Sequence, residues 1–63
     1  MESIILRQVG DFLIYKNNLT YKYCISDLLS VTEWMDEYTI ELNKLINLSD
    51  EIFVDKCKFW LDY

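Results

Sequence analysis

The sequence predicts an α+β domain in which a three-stranded antiparallel meander is followed by a two-helix hairpin packed on one sheet face. Two turn-forming dipeptides divide the amino-terminal part into three apolar segments. Two helix-start motifs follow, in the carboxyl-terminal part. With 63 residues, the chain has room for a single small domain, residues 1–63.

The meander is predicted from turn chemistry. Gly10-Asp11 and Asn17-Asn18 each suit a two-residue hairpin turn with positive φ, and they separate segments rich in Ile, Leu, Tyr, Phe and Val. The predicted strands cover residues 3–9, 12–16 and 19–25. The third strand alternates apolar and polar residues, which is the period of a strand with one buried face. One sheet face therefore needs a cover.

The cover is predicted to be a helix hairpin. Ser30-Val31-Thr32-Glu33 matches a capping box and starts a helix over residues 30–46, with Leu28 and Leu29 packing at its entry. Ser49 and two following carboxylates start a second helix over residues 50–61. The predicted core packs one stripe of the first helix against the third strand; its members are Trp34, Met35, Tyr38, Leu42, Leu45, Tyr21 and Tyr23.

Composition argues against catalysis. The chain has no histidine and one glycine, so the usual general base and the glycine-rich phosphate loops cannot be formed. Cys24 and Cys57 lie far apart without a paired motif, which excludes the common zinc sites. We expect two buried free thiols; a disulfide is the alternative if the protein is exported. The sequence thus predicts no enzyme activity, metal or cofactor.

The apolar segments are too short for a membrane span, which needs roughly 18 apolar residues. Glu2 stands where a signal peptide would carry positive charge, and Arg7, Gln8 and Asp11 interrupt any apolar core. We therefore expect a cytoplasmic protein without a membrane partner.

Charge is unevenly distributed along the chain. The net charge is −5, yet residues 1–26 carry three basic residues against two acidic ones, net +1, and residues 27–63 carry three lysines against nine acidic residues, net −6. On the predicted first helix Glu33, Glu37 and Glu41 recur every four residues beside Asp36. This acidic face either keeps an apolar protein soluble or imitates a phosphate backbone and binds a basic nucleic-acid-binding protein. Direct nucleic-acid binding is disfavoured, because it needs a basic face.

The predicted second helix carries more apolar residues than one face can bury. Phe59 and Tyr63 extend its apolar arc to more than half the circumference. Either these aromatic side chains form an interface, or they fold under the first helix into a large core. The candidate partner-binding residues are Glu33, Asp36, Glu37, Glu41, Phe59 and Tyr63.

Two functions fit these observations. In its size, acidity and composition rich in Asn, Ile, Lys and Tyr, the chain is similar to small phage or mobile-element proteins that inhibit a host protein stoichiometrically. That similarity implies a protein-binding inhibitor. The alternative is a structural or regulatory subunit, of antitoxin or assembly-factor type, that homodimerises through its aromatic second helix.

Overall fold

The structure is a computed structural model that describes residues 3–63. Met1 and Glu2 lie outside the described residues, so the interpretation of Glu2 as an argument against a signal peptide falls outside them as well. The chain forms three antiparallel strands in a meander and two helices that pack on the sheet, as predicted. The strands are β1 (Ser3–Val9), β2 (Phe12–Asn17) and β3 (Lys22–Ser26), in the order β1-β2-β3. The helices are α1 (Leu42–Leu45) and α2 (Asp50–Trp60).

The first hairpin turn forms as predicted. Val9 pairs with Phe12, so Gly10 and Asp11 are the two turn residues, and Gly10 has φ 59°. A glycine adopts this left-handed conformation without the steric cost that a Cβ would bring.

The second turn is longer than predicted, and β3 begins at Lys22 rather than Leu19. Asn17 pairs with Lys22, which leaves a four-residue loop between them. The Asn17 side-chain oxygen accepts from the backbone N–H groups of Leu19 (2.8 Å) and Thr20 (3.2 Å). These hydrogen bonds stabilise the longer loop at the expense of the predicted two-residue turn. Tyr21 closes the loop with φ 57°.

The predicted helix over residues 30–46 is wrong. Only Leu42–Leu45 is helical in this stretch, after Glu41 at φ 51° with no side-chain cap. The residues of the expected capping box instead follow the outer edge of β3, where isolated bridges join Ser26 to Val31 and Tyr23 to Met35.

Hydrogen bonds to β3 explain why the segment that follows this strand does not form the predicted helix. Tyr23 and Met35 exchange two backbone hydrogen bonds of 2.7 and 2.8 Å, and Thr32 N–H donates to the Ile25 carbonyl at 2.9 Å. The Thr32 hydroxyl oxygen accepts from Ile25 N–H at 3.0 Å. Backbone groups at the edge of a buried strand need partners, and pairing with this segment supplies them. Repulsion among carboxylates four residues apart further weakens the competing helix.

The second helix was predicted correctly. It spans Asp50–Trp60, and the Ser49 hydroxyl caps it by accepting from Ile52 N–H at 3.5 Å. Phe53 and Cys57 are fully buried on its inner face. Both contact a core formed with β2, β3 and the α1 segment; the other buried members are Ile14, Tyr23, Ile25, Ile40, Leu42 and Leu45.

The predicted core was partly right. Leu42, Leu45 and Tyr23 are buried, and Met35 packs against the core while partly exposed. The other predicted members were placed by the missing helix or by the misplaced start of β3. They are instead exposed: Trp34 (46%), Tyr38 (83%) and Tyr21 (68%).

Arg7 joins β1 to both helices. Its guanidinium donates to the Leu45 carbonyl at the end of α1 (3.2 Å) and to the Asp50 carboxylate at the start of α2 (3.0 Å). The same group lies 4.5 Å from the centre of the Phe53 ring, so it also makes a cation–π contact. The Arg7 side chain is only 17% exposed.

The first prediction compares two phenylalanines on α2. Phe53→Ala should lower the free energy of unfolding by about 3 to 5 kcal/mol, because it leaves a cavity in the middle of the core. Phe59→Ala removes the same atoms from a side chain that is 73% exposed and should cost less than about 0.5 kcal/mol. Urea unfolding followed by circular dichroism measures both, and equal losses would contradict this core.

The second prediction tests the segment that replaces the predicted helix. Thr32→Val keeps the side-chain shape but deprives Ile25 N–H of its acceptor, so it should destabilise the fold by about 1 to 3 kcal/mol. Thr32→Ser retains the hydroxyl and is the control. Hydrogen exchange at the Ile25 amide should accelerate in the valine variant alone; unchanged exchange would show that this hydrogen bond does not form.

Candidate protein-binding surface

The acidic candidate residues do not lie on one helix face. Glu33, Asp36 and Glu37 belong to the irregular segment between β3 and α1, and all are exposed. Asp36 accepts from Thr39 N–H at 2.7 Å, and this hydrogen bond holds the pKa of its carboxyl below the ordinary value. Glu41 forms an exposed ion pair with Lys44 at 3.1 Å. The carboxylates are therefore accessible, but without the regular four-residue row that a helix would provide.

Phe59 lines an open groove between the α1 segment and α2. Its ring is 73% exposed and packs edge-on against Trp60, with the ring centres 5.6 Å apart. The groove has a volume of about 330 Å³. Its apolar lining consists of Ile40, Leu45, Leu48, Phe59 and Trp60. An apolar concavity of this volume suits a single large side chain of a partner.

The groove is also lined by charged residues. Glu41, Lys44 and Lys56 complete its lining. The Glu41–Lys44 ion pair is exposed on both sides, so it contributes little to stability. Among residues 3–63, Lys56 makes no ion pair with an acidic side chain. A lining that combines apolar and charged residues is typical of protein interfaces.

Tyr63 has different surroundings from Phe59. Its ring packs edge-on against Phe12 in β2, at 5.8 Å between ring centres, and its hydroxyl donates to the Asp27 carboxylate. Asp62 has φ 64°, which turns the chain back after α2. Although 69% exposed, Tyr63 thus ties the carboxyl-terminal residues to the sheet. Phe59 and Tyr63 were predicted to share one surface, and the structure gives them separate roles in packing.

Asp27 organises the loop that leaves β3. Besides the Tyr63 hydroxyl, its carboxylate accepts from the backbone N–H groups of Leu29 and Ser30, both at 2.8 Å. These hydrogen bonds, that from Tyr63 above all, lower the pKa of Asp27 to about 2. The same interaction raises the pKa of the Tyr63 hydroxyl.

The two cysteines are free and buried, as expected. Cys57 lies in the core, and burial raises its pKa to about 11. Cys24 points to the opposite sheet face, where its thiol donates to the Thr32 carbonyl at 3.4 Å and burial raises its pKa. Both thiols are protonated at neutral pH, a state that is poorly nucleophilic and poor at binding metals.

Among residues 3–63, no group of three acidic, cysteine or histidine side chains is placed to hold a metal ion. No helix in that range is long and apolar enough to cross a membrane.

Two exposed apolar regions were missed by sequence reasoning. Leu28 and Leu29, expected to pack at a helix entry, are 78% and 93% exposed because that helix is absent. Ile4, Ile5 and Leu6 in β1 are 45%, 58% and 36% exposed. The second region had a signal in the sequence, because three consecutive apolar residues cannot all face one side of a strand.

Comparison with protein-family models, with curated proteins and with solved structures gave no match.

The third prediction concerns acid stability. The pKa of Asp27 is about 2 in the folded protein and near 3.9 in an unfolded chain, so its contribution to stability is present above about pH 4 and is lost as the pH falls towards 2. Asp27→Asn should therefore flatten the pH dependence of the unfolding free energy in this range. Asp55→Asn removes the same charge from an exposed site without hydrogen-bond partners among residues 3–63 and is the control. An Asp27→Asn profile parallel to that of the wild type would contradict the assignment.

Proposed function

We propose that this chain is a stoichiometric protein-binding module whose partner inserts an apolar side chain into the groove between the α1 segment and α2. The observation that carries this proposal is the position of Phe59, 73% exposed at the border of an apolar groove of about 330 Å³. A large aromatic side chain on the helix surface contributes little to folding but can dominate an interface once a partner excludes water from it.

Binding is a better explanation of these features than catalysis. The groove contains two lysines, one glutamate and five apolar residues, and neither cysteine is among them. Such a lining supplies contact area and charged groups, without a nucleophile paired with a base. The same features are compatible with an inhibitor that acts by occupying a surface of its target.

Overall charge supports a basic partner. The net charge is −5, and residues 27–63 alone carry −6. Exposed carboxylates at Glu33 and Glu37 lie outside the groove, where they would attract a basic protein over a distance without entering the apolar contact. A nucleic-acid-binding protein is one such partner. Because the regular acidic row is missing, we assign these carboxylates to electrostatic steering rather than to imitation of a phosphate backbone.

The fourth prediction tests the groove. The wild-type protein is used to capture its partner from the native cell, and the purified partner is then titrated with variants. Phe59→Ala should weaken binding by at least about tenfold, as expected at an interface hot spot. Tyr38→Ala, which truncates an aromatic residue that is 83% exposed outside the groove, should change the affinity less than about twofold and is the matched control. Equal affinities for wild type and Phe59→Ala would exclude the groove as the binding site.

Electrostatic steering is tested in the same titration. Glu33→Lys combined with Glu37→Lys should slow association and reduce its salt dependence, while dissociation stays close to wild type. If association is unchanged at low salt, these carboxylates serve solubility alone.

A further inference from the structure

The two edges of the sheet differ in whether another segment of the chain pairs with them. The outer edge of β3 is paired with the segment around Thr32 and Met35. The outer edge of β1 has no such cover: within residues 3–63, no hydrogen bond joins the β1 backbone to anything except β2. Its outward-facing N–H and C=O groups are available to another strand.

β1 lacks most of the usual protection of an edge strand. It is seven residues long, contains no proline, and exposes Ile4, Ile5 and Leu6. Charged side chains commonly prevent edge-to-edge pairing, but the one charged residue of β1, Arg7, is directed inward to Asp50 and the Leu45 carbonyl. The register shift between Ile5 and Arg7 is a bulge of the kind that can turn an edge strand away from a partner, but β1 stays paired with β2 on both sides of it.

We propose that β1 pairs antiparallel with β1 of a second copy of this chain, so that two three-stranded sheets join into one of six strands. A two-fold axis at Ile5 places Ile5 opposite Ile5 of the second copy and Ile4 opposite Leu6. The exposed apolar residues of the two copies then cover one another. A single strand can satisfy both sides of such an interface, because antiparallel pairing of identical strands is symmetric.

Charge favours this edge over other surfaces for self-association. Residues 3–26, which contain the three strands, carry three basic residues against one acidic residue, a net charge of +2, whereas residues 27–63 carry −6. Contact through β1 therefore keeps the acidic parts of the two copies away from the interface. The copies still repel each other at long range with −5 each, so dimerisation should strengthen as salt is added. Binding of a basic partner has the opposite salt dependence, which separates this inference from the proposed function.

The fifth prediction is the test, made by analytical ultracentrifugation of the whole protein over a range of protein and salt concentrations. The wild type should be a dimer that tightens with salt. Ile5→Lys places two like charges opposite each other across the axis and should raise the dimer dissociation constant by more than about tenfold. Leu28→Lys introduces the same charge at an exposed loop residue, away from β1, and should leave the dimer intact.

Hydrogen exchange of the wild type gives an independent reading should Ile5→Lys fail to fold. Amides of β1 should become more protected as protein concentration rises, while amides of the loop at residues 18–21 should not change. A wild-type monomer at all concentrations, or an Ile5→Lys dimer as tight as the wild type, would overturn the proposal. Ile5→Lys should lose the dimer and still bind the partner, whereas Phe59→Ala should keep the dimer and lose partner binding. This pair of results would show that the two surfaces act separately.

Discussion

The side chain of Arg7 connects the parts of this fold that the β-sheet alone does not hold together. The meander is made by hydrogen bonds between neighbouring strands, and the helices by bonds within themselves. One guanidinium joins these systems, because it contacts the end of α1, the start of α2 and the face of Phe53. Its charge is compensated by Asp50 and a carbonyl, which makes its partial burial tolerable. Together with the buried core around Phe53 and Cys57, this contact positions α2, and with it the groove beside Phe59.

Local chemistry made much of the fold predictable. The Gly10-Asp11 turn, the extent of β1 and β2, and α2 with its Ser49 cap all follow from short-range preferences that the tertiary structure does not oppose. The predicted helix over residues 30–46 failed where two demands conflicted. Val31-Thr32 can continue a helix or pair with a strand. Pairing is favoured because the edge of β3 would otherwise be left without hydrogen-bond partners. That demand lies in β3, several residues away, so no local pattern in the segment reveals it.

The candidate surface was predictable in part for the same reason. Exposure of Phe59 followed from counting more apolar residues on α2 than one face can bury. The groove itself did not, since it needs the α1 segment to cross beside α2 in a position set by Arg7 and the core. The acidic row depended on the failed helix. The three adjacent apolar residues of β1 were visible in the sequence. That β1 is the one uncovered edge of the sheet could be recognised only after the structure showed that the edge of β3 is paired.

That asymmetry limits how far the sheet can extend. A molecule with two free edges can add neighbours on both sides without end, which is the geometry of a fibril. Here the segment at residues 31–35 occupies one side, so each molecule offers a single site for strand addition. An assembly built by joining sheets edge to edge therefore contains two molecules and cannot add a third. If two copies pair through β1, the short irregular segment that replaces the expected helix limits that assembly to two molecules.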